Sequence, residues 1–228
     1  MCIRDRPHGW QWLYFNPKAR RSELGIDGHP ARGGFLPPVE LPRRMWAGSR
    51  ISYLATVPIG AEAEKTSEIL TVKNKQGKSG ALCFVTVKHS ISCDGTVCIE
   101  EEQDIVYRGV TPATSTPPPK PRRHEAEAQW SVEFHPDTTL LFRYSALTFN
   151  GHRIHYDKPY ASNEEGYPDL VVHGPLTATL LQNFAIECAQ RRQLAAWSLR
   201  GVSPLFGDRV CRLEANREDD STLTVWAR

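Results

Sequence analysis

The chain has 228 residues, 28 of them Lys or Arg and 26 Asp or Glu, with 40% hydrophobic and 24% charged residues. That length suits one or two domains, and the composition is that of a chain able to bury a core. A formal net charge of +2 excludes a polybasic binder of nucleic acid or membrane surfaces. The longest apolar run, about Ala81–Val87, falls far short of the roughly 18 residues of a membrane-spanning helix.

The opening MCIRDR is charged and has no apolar centre, unlike a secretory signal. It reads as a translated adaptor sequence, set apart from the fold. The authentic N-terminus, with any organelle-targeting peptide, is then expected to lie outside this sequence. Gly28–Trp46, GHPARGGFLPPVELPRRMW, is rich in Gly and Pro and is expected to be an ordered loop. Four strands follow, Arg50–Pro58, Ser67–Lys75, Gly80–Ser92 and Thr96–Arg108, each rich in β-branched and aromatic residues. Asp94-Gly95 marks a two-residue hairpin between the last two. In Ala81–Val87 both alternating sets are largely apolar, which predicts a strand covered on both faces.

Thr111–Pro121 reads TPATSTPPPKP. Proline removes backbone donors and favours extended backbone, so a semi-stiff linker is expected over 111–125. It divides the chain into domains at 7–110 and 126–228. Beyond it, Ser131–Phe134 and Thr139–Tyr144 are short strand candidates around a His135-Pro136-Asp137 turn. Asn150–Asp169 is polar and irregular. Gly174–Gln190 is predicted to be a helix: Leu176, Leu180, Phe184 and Cys188 recur at every fourth position, with Leu181 and Ala185 widening the stripe. Pro175 suits a first helical turn, and Gly174 an N-cap. Leu194–Val202, Arg209–Asn216 and Thr222–Ala227 read as three more strands. Strands, one long helix and more strands make an α+β layout, a helix laid on antiparallel sheet. The six cysteines show no CxxC spacing, which points to a reducing compartment, the cytoplasm first.

The stretch Tyr144–Leu181 holds the chemistry. A polar loop carries Asn150, His152, Arg153, His155 and Asp157. Val171-Val172-His173-Gly174 then leads apolar backbone into a helix start. The N-terminus of a packed helix presents free N–H groups and about half a positive charge, which suits a carbonyl oxygen that becomes negative during reaction. An imidazole beside it can move a proton at neutral pH. A polarised carbonyl and a positioned base fit chemistry at the carbon α to a thioester, or water addition at the β carbon.

These segments resemble the hydratase-dehydratase signature of the MaoC-like hot dog family, the (R)-specific enoyl-CoA hydratases: D-x-N-P-[LIV]-H-x5-[AS], then an apolar-H-G-x-L helix start. The chain reads Asn150-Gly151-His152-Arg153-Ile154-His155, has Ala161 at the small position, and continues with Val172-His173-Gly174-Pro175-Leu176. SALTFNGHRIHYD and GFLPPVELPRRMWAG are similar to one branch, the type 2 hydroxyacyl-thioester dehydratases and mesaconyl-CoA or itaconyl-CoA hydratases. The resemblance implies a double hot dog, each domain a curved antiparallel sheet around a long central helix, with the first domain N-terminally truncated and non-catalytic and the second catalytic. It makes His155 the catalytic histidine and Gly174 the oxyanion N–H donor. Asn150 falls where the family places its aspartate, His152 replaces an Asn and Arg153 a Pro. An amide takes no proton but can orient a water, so His155 would be the main titrating group, or Asp157 would share the task.

On the substrate side the candidates are Arg153, Asp157 and His173. Arg153 either pairs with Asp157 four residues on or holds the free carboxylate of a dicarboxylyl thioester. His173 suits a structural hydrogen bond to the loop. Arg122, Arg123, Arg191 and Arg192 are candidates for coenzyme phosphates. Taken as residues alone, His155 is also readable as a solvated loop histidine, Gly174 as a cap and Asn150 as a turn stabiliser. The expected activity is that of a hydro-lyase on a 2-enoyl thioester of CoA or an acyl-carrier protein, with no cofactor and no metal. Neither nucleic acid nor membrane is an expected partner; an open sheet edge would serve a homodimer. If the source is eukaryotic, the mitochondrial matrix joins the cytoplasm as a location. The rivals are a hot dog thioesterase, for which Glu187 is the only acid within Gly174–Gln190, and a non-catalytic acyl-thioester binding module.

Overall fold

The computed structural model describes residues 5–16, 18–31, 33–77, 80–109 and 126–228. The expected linker at 111–125 lies outside the described residues. The chain forms two compact units, and each draws on separated stretches of sequence. The first takes its described residues from 5–7, 33–109 and 194–202, the second from 8–31, 126–193 and 203–228. The simple division at 7–110 and 126–228 therefore differs from the structure in two segments, residues 8–31 and 194–202. Both go where backbone hydrogen bonds take them, as the two units show.

In the first unit, β1 (Arg43–Tyr53), β2 (Ala63–Gly77), β3 (Gly80–Cys93), β4 (Thr96–Arg108) and β6 (Ala196–Arg200) form an antiparallel sheet in the order β2-β3-β4-β1-β6. β6 comes from the late segment because Gly48–Ser52 pairs with Ala196–Arg200. One face of β3 is fully buried through Cys83, Val85 and Val87, packed with Ile105 and Tyr107 of β4. The other face is only half buried at Phe84 and Thr86, so β3 is sealed on one side rather than two. Leu36, Val39 and Leu41 of the Gly/Pro-rich loop lie on that sealed side. The described part of the loop from residue 33 thus packs on the sheet, and it ends where β1 begins at Arg43. Among the described residues of this unit there is no α-helix, and these loop side chains cover the sheet instead.

In the second unit, β5 (Trp130–Phe134), β7 (Cys211–Arg217) and β8 (Leu223–Ala227) form a three-stranded antiparallel sheet in the order β5-β7-β8, against which α3 (Gly174–Cys188) packs. The strand predicted over Thr139–Tyr144 is instead part of helix α1 (Thr138–Leu147). Asp137 decides it: its carboxylate accepts the Leu140 N–H at 2.7 Å and caps the helix, outweighing the strand preference of Thr, Phe and Tyr. Asp157 does the same for the short α2 (Lys158–Asn163), accepting the Tyr160 N–H at 3.1 Å within a stretch expected to be irregular. In α3, His173 is the N-cap and Gly174 the first helical residue, so the cap lies one position earlier than predicted. Burial centres on Ala178, Leu181, Gln182 and Ala185, while Leu180, Phe184 and Cys188 of the predicted stripe are only half buried.

No helix of the described residues is long and apolar enough to cross a membrane. The second unit's core gathers Leu141, Tyr144, Ile154, Leu170, Val172 and Leu176, residues from α1, the polar loop, the strand-like segment before α3, and α3 itself. This packing fixes the loop against the helix start. Leu141 is 0% exposed, so Leu141→Ala should cost about 3 kcal/mol and lower the urea midpoint. A midpoint identical to the parent's would show that this cluster does not hold the unit together.

Candidate active site

The polar loop is shaped by its own backbone. Thr148 ends α1, Phe149 follows with a φ of 50°, and the Asn150 N–H donates to the Ser145 carbonyl at 2.8 Å. Asn150 Oδ1 accepts the His152 N–H at 3.0 Å, the side-chain turn typical of Asn. A 3-10 turn over Arg153–His155 then delivers His155 inward, where it is 7% exposed.

His155 Nδ1 lies 2.7 Å from the carbonyl oxygen of Val171. A carbonyl only accepts, so in the neutral ring Nδ1 carries the proton and Nε2 keeps its lone pair. Val171 is itself fixed, because its N–H donates to the Ile154 carbonyl at 2.9 Å. The next residue, Val172, donates to Leu205 at 2.9 Å. The His155 ring stacks on that of His173, with centroids 3.7 Å apart and planes 19° from parallel. His173 is 0% exposed, and its Nε2 is 2.8 Å from Ser145 Oγ on α1. Because His173 caps α3, this stack sets His155 beside the helix N-terminus. Pro175 has no N–H, and the N–H of Gly174 has no acceptor within the helix. The structure thus brings His155, His173 and the Gly174 end of α3 together, with Asn150 at the start of the same loop.

Burial pushes the His155 pKa down to about 3; the Val171 carbonyl opposes this, and His152 and His29 add to the lowering. Burial also drives His173 well below the ordinary histidine value, helped by His155. Both rings are therefore neutral at working pH.

Arg153 and Asp157 are engaged with each other. Arg153 Nε and Nη2 reach Asp157 Oδ2 at 3.0 and 2.7 Å, and Nη1 donates to the Ile26 carbonyl at 3.2 Å. The guanidinium also lies 4.1 Å over the Tyr160 ring. A substrate carboxylate would have to displace Asp157 to claim this arginine. Arg191 pairs with Glu187 at 3.5 Å and Arg192 donates to the Asp220 carbonyl at 3.4 Å; Arg122 and Arg123 lie outside the described residues.

Two residues that the sequence reading did not single out complete the neighbourhood. Asp27 Oδ2 is 3.2 Å from His29 Nδ1, and Asp27 Oδ1 accepts the His29 N–H at 3.0 Å. The His29 ring lies 4.1 Å from that of His152, whose ring meets His155 edge-on at 5.4 Å. Four imidazoles therefore run in a line from Asp27 to His173. The segment is pressed onto the loop at two glycines. A Cβ on Gly28, which has a φ of +85°, would run into the Gly151 carbonyl, and one on Gly151 would crowd the Gly28 carbonyl. The Arg153 N–H also donates to the Asp27 carbonyl at 2.9 Å. Among the described residues, Asp27, His29 and His152 are the group whose ligand atoms lie within 4.8 Å of one another. Two of the three, Asp27 and His29, are already hydrogen-bonded to each other, with the His152 ring beside them.

Comparison with known proteins places these features in context. Residues 9–207 match the family described as hydroxyacyl-thioester dehydratase type 2. The chain is 48% identical over 230 residues to the mesaconyl-C(4)-CoA hydratase of Chloroflexus aurantiacus, covering 95% of this chain and 80% of that one. It is 26% identical to the mitochondrial hydroxyacyl-thioester dehydratase type 2 of Schizosaccharomyces pombe, over 90% of this chain and 76% of the other. Among solved structures, HtdX of Mycobacterium tuberculosis superposes with a TM-score of 0.66 at 15% identity, covering 99% of this chain and 82% of that one. A Mycobacterium tuberculosis protein described as having a double hot dog fold gives 0.51 at 11% identity, over 81% and 69%. At such identities the likeness is one of fold, and the fold is the expected α+β double hot dog.

The buried imidazoles make stability depend on pH. Both regain an ordinary pKa near 6.5 on unfolding, so below that value the unfolded chain binds more protons than the folded one. Their contribution is full above pH 6.5 and is lost as pH falls towards 3, by about 1 kcal/mol per pH unit for each ring. Melting temperature should therefore drop between about pH 7 and pH 5, with a shallower drop in His155→Gln. A flat or rising profile would mean that the two rings are not neutral in the fold.

Proposed function

Because this chain belongs to the hydroxyacyl-thioester dehydratase type 2 family, we propose that it adds water reversibly to a 2-enoyl thioester to give a 3-hydroxyacyl thioester, with a mesaconyl-type CoA thioester as the first substrate to try. The family membership carries the reaction class, and the 48% identity to a mesaconyl-C(4)-CoA hydratase supports the choice of substrate. The single observation that carries the mechanism is the His155 imidazole, held by the Val171 carbonyl with Nε2 bare and stacked on the cap of α3.

In hydration, His155 Nε2 accepts a proton from water while the water oxygen attacks the β carbon. The electron pair of the double bond moves onto the thioester carbonyl, and the Gly174 N–H with the helix dipole stabilises the resulting enolate. Protonation at the α carbon completes the addition. Water is added across one bond with no net change of oxidation state, so the reaction calls for no cofactor. Asn150, whose Oδ1 serves the turn, has its NH2 group left to orient the water. The carrier is CoA or an acyl-carrier protein, and an open edge such as β2 would serve a homodimer. The five described cysteines are free thiols, and the yeast relatives are named mitochondrial. Both fit an enzyme of the cytoplasm or, in a eukaryote, of the mitochondrial matrix.

Two rival readings are less well supported. A thioesterase of this fold would need a carboxylate near the reacting carbonyl. Glu187 sits at the far end of α3, exposed and paired with Arg191. A non-catalytic binding module gives no reason for a neutral imidazole with a bare nitrogen at a helix N-terminus.

The test is the loss of enoyl-thioester absorbance with crotonyl-CoA and mesaconyl-CoA. His155→Ala should lower turnover by about 100-fold or more; undiminished turnover would refute the assignment. Asn150→Asp should stay active and gain an acidic limb in its pH profile. Release of free CoA thiol in place of hydration would instead favour the thioesterase.

A further inference from the structure

The reaction moves two protons, one off the water and one onto the α carbon, and His155 accounts only for the first. The family pattern has a carboxylate at position 150; here Asn150 stands there and its oxygen is spent on the turn to His152. Asp157 is paired with Arg153 and caps α2. Asp27, by contrast, comes from the N-terminal segment and is within ligand distance of both His29 and His152. Burial raises its pKa, but the two hydrogen bonds from His29, with the charges of His29 and His152, outweigh that and hold the carboxyl well below its usual range. Asp27 is thus a fixed negative charge beside a half-buried imidazole, while His155 is buried. Two histidines in such different surroundings divide naturally into an acid and a base.

Resting on the hydration reading above, we propose that His152 is a second catalytic residue, the acid that protonates the α carbon, and that Asp27 and His29 are positioning residues that hold it in its charged form. In hydration a proton passes from water to His155 Nε2 as the C–O bond forms. A proton passes from the His152 imidazolium to the α carbon as the enolate collapses. Transfer from His155 to His152, whose ring lies edge-on at 5.4 Å, restores both. Dehydration runs the same steps backwards, with His152 removing the α proton.

Several described groups lie around His152. Asp27 and His29 approach from the N-terminal segment, clamped there by Gly28 against Gly151 and by the Arg153 N–H. His155 lies on its own loop with His173 behind it. Arg153 is neutralised by Asp157. Tyr156 donates its hydroxyl to the Gly151 carbonyl, and Tyr160 lies under the Arg153 guanidinium. Asp27 accepts two hydrogen bonds from His29, as Asp157 accepts from Arg153, and its carboxylate lies within 4.8 Å of a His152 ring nitrogen.

The experiment is kcat and KM for hydration across pH, with exchange of the α hydrogen of the 3-hydroxyacyl thioester in heavy water. His152→Asn should lower kcat and α-hydrogen exchange by about 100-fold with KM within about twofold. Asp27→Asn should keep most of the fold and move the alkaline limb of kcat to lower pH by about one unit, since an opposite charge nearby favours the imidazolium. Asp27→Glu should restore part of that shift. A profile of Asp27→Asn that superposes on the parent's would overturn the proposal, as would a His152→Asn variant within twofold of the parent. Stoichiometric zinc in the purified enzyme that is lost in Asp27→Asn would also overturn it. An inactive parent, or a fully active His155→Ala, would strike the hydration reading itself.

Discussion

His155 takes its tautomer and its position from one backbone carbonyl, that of Val171, 16 residues along the chain. The bond works because Val171 is not free to move: its own N–H is held by Ile154, and Val172 is held by Leu205. The loop and the segment before α3 therefore hold each other, and the imidazole is the outcome of that pairing. Stacking on His173 adds the second constraint, since the cap of the helix carries the ring that His155 lies against. Base and helix N-terminus share one piece of rigid backbone, which is the preorganisation that transition-state stabilisation requires.

Burial is what sets this imidazole apart from a surface histidine. A solvated imidazole would be partly protonated at neutral pH, whereas His155 is kept unprotonated by desolvation. The cost appears in the stability of the second unit at low pH, where both buried rings favour the unfolded chain. His152 and His29, half buried and beside an ionised Asp27, stand in different surroundings one ring away.

Much of this site was legible in the sequence, because its parts lie close together in the chain. His155, Asn150 and the Val172–Leu176 helix start lie within one stretch of fewer than 40 residues, and the apolar positions of α3 identify the helix at once. The errors were local contests. Thr139–Tyr144 has strand-forming residues, but the Asp137 cap and the burial of Leu141, Tyr144 and Ser145 along one helix face decide for α1. The Asp157 cap before Lys158-Pro159 was the comparable signal for α2. Asp27 and His29 could not be found this way. They lie more than 120 residues before His152, and the Gly28–Gly151 contact with the Arg153 hydrogen bonds to Ile26 and Asp27 brings them there. Nor does local pattern show that 194–202 pairs with β1, since strand partners at such separation leave no mark in either strand alone.

Nitrogen-15 NMR of histidine-labelled protein, with His155→Gln to assign the signal, tests the central claim most directly. The account predicts that His155 is in the neutral Nδ1–H form, with Nε2 bare, and that its signals stay constant from about pH 8 down to about pH 5. A His155 ring protonated at Nε2 alone, or one that titrates near pH 6.5 like a solvated histidine, would contradict it.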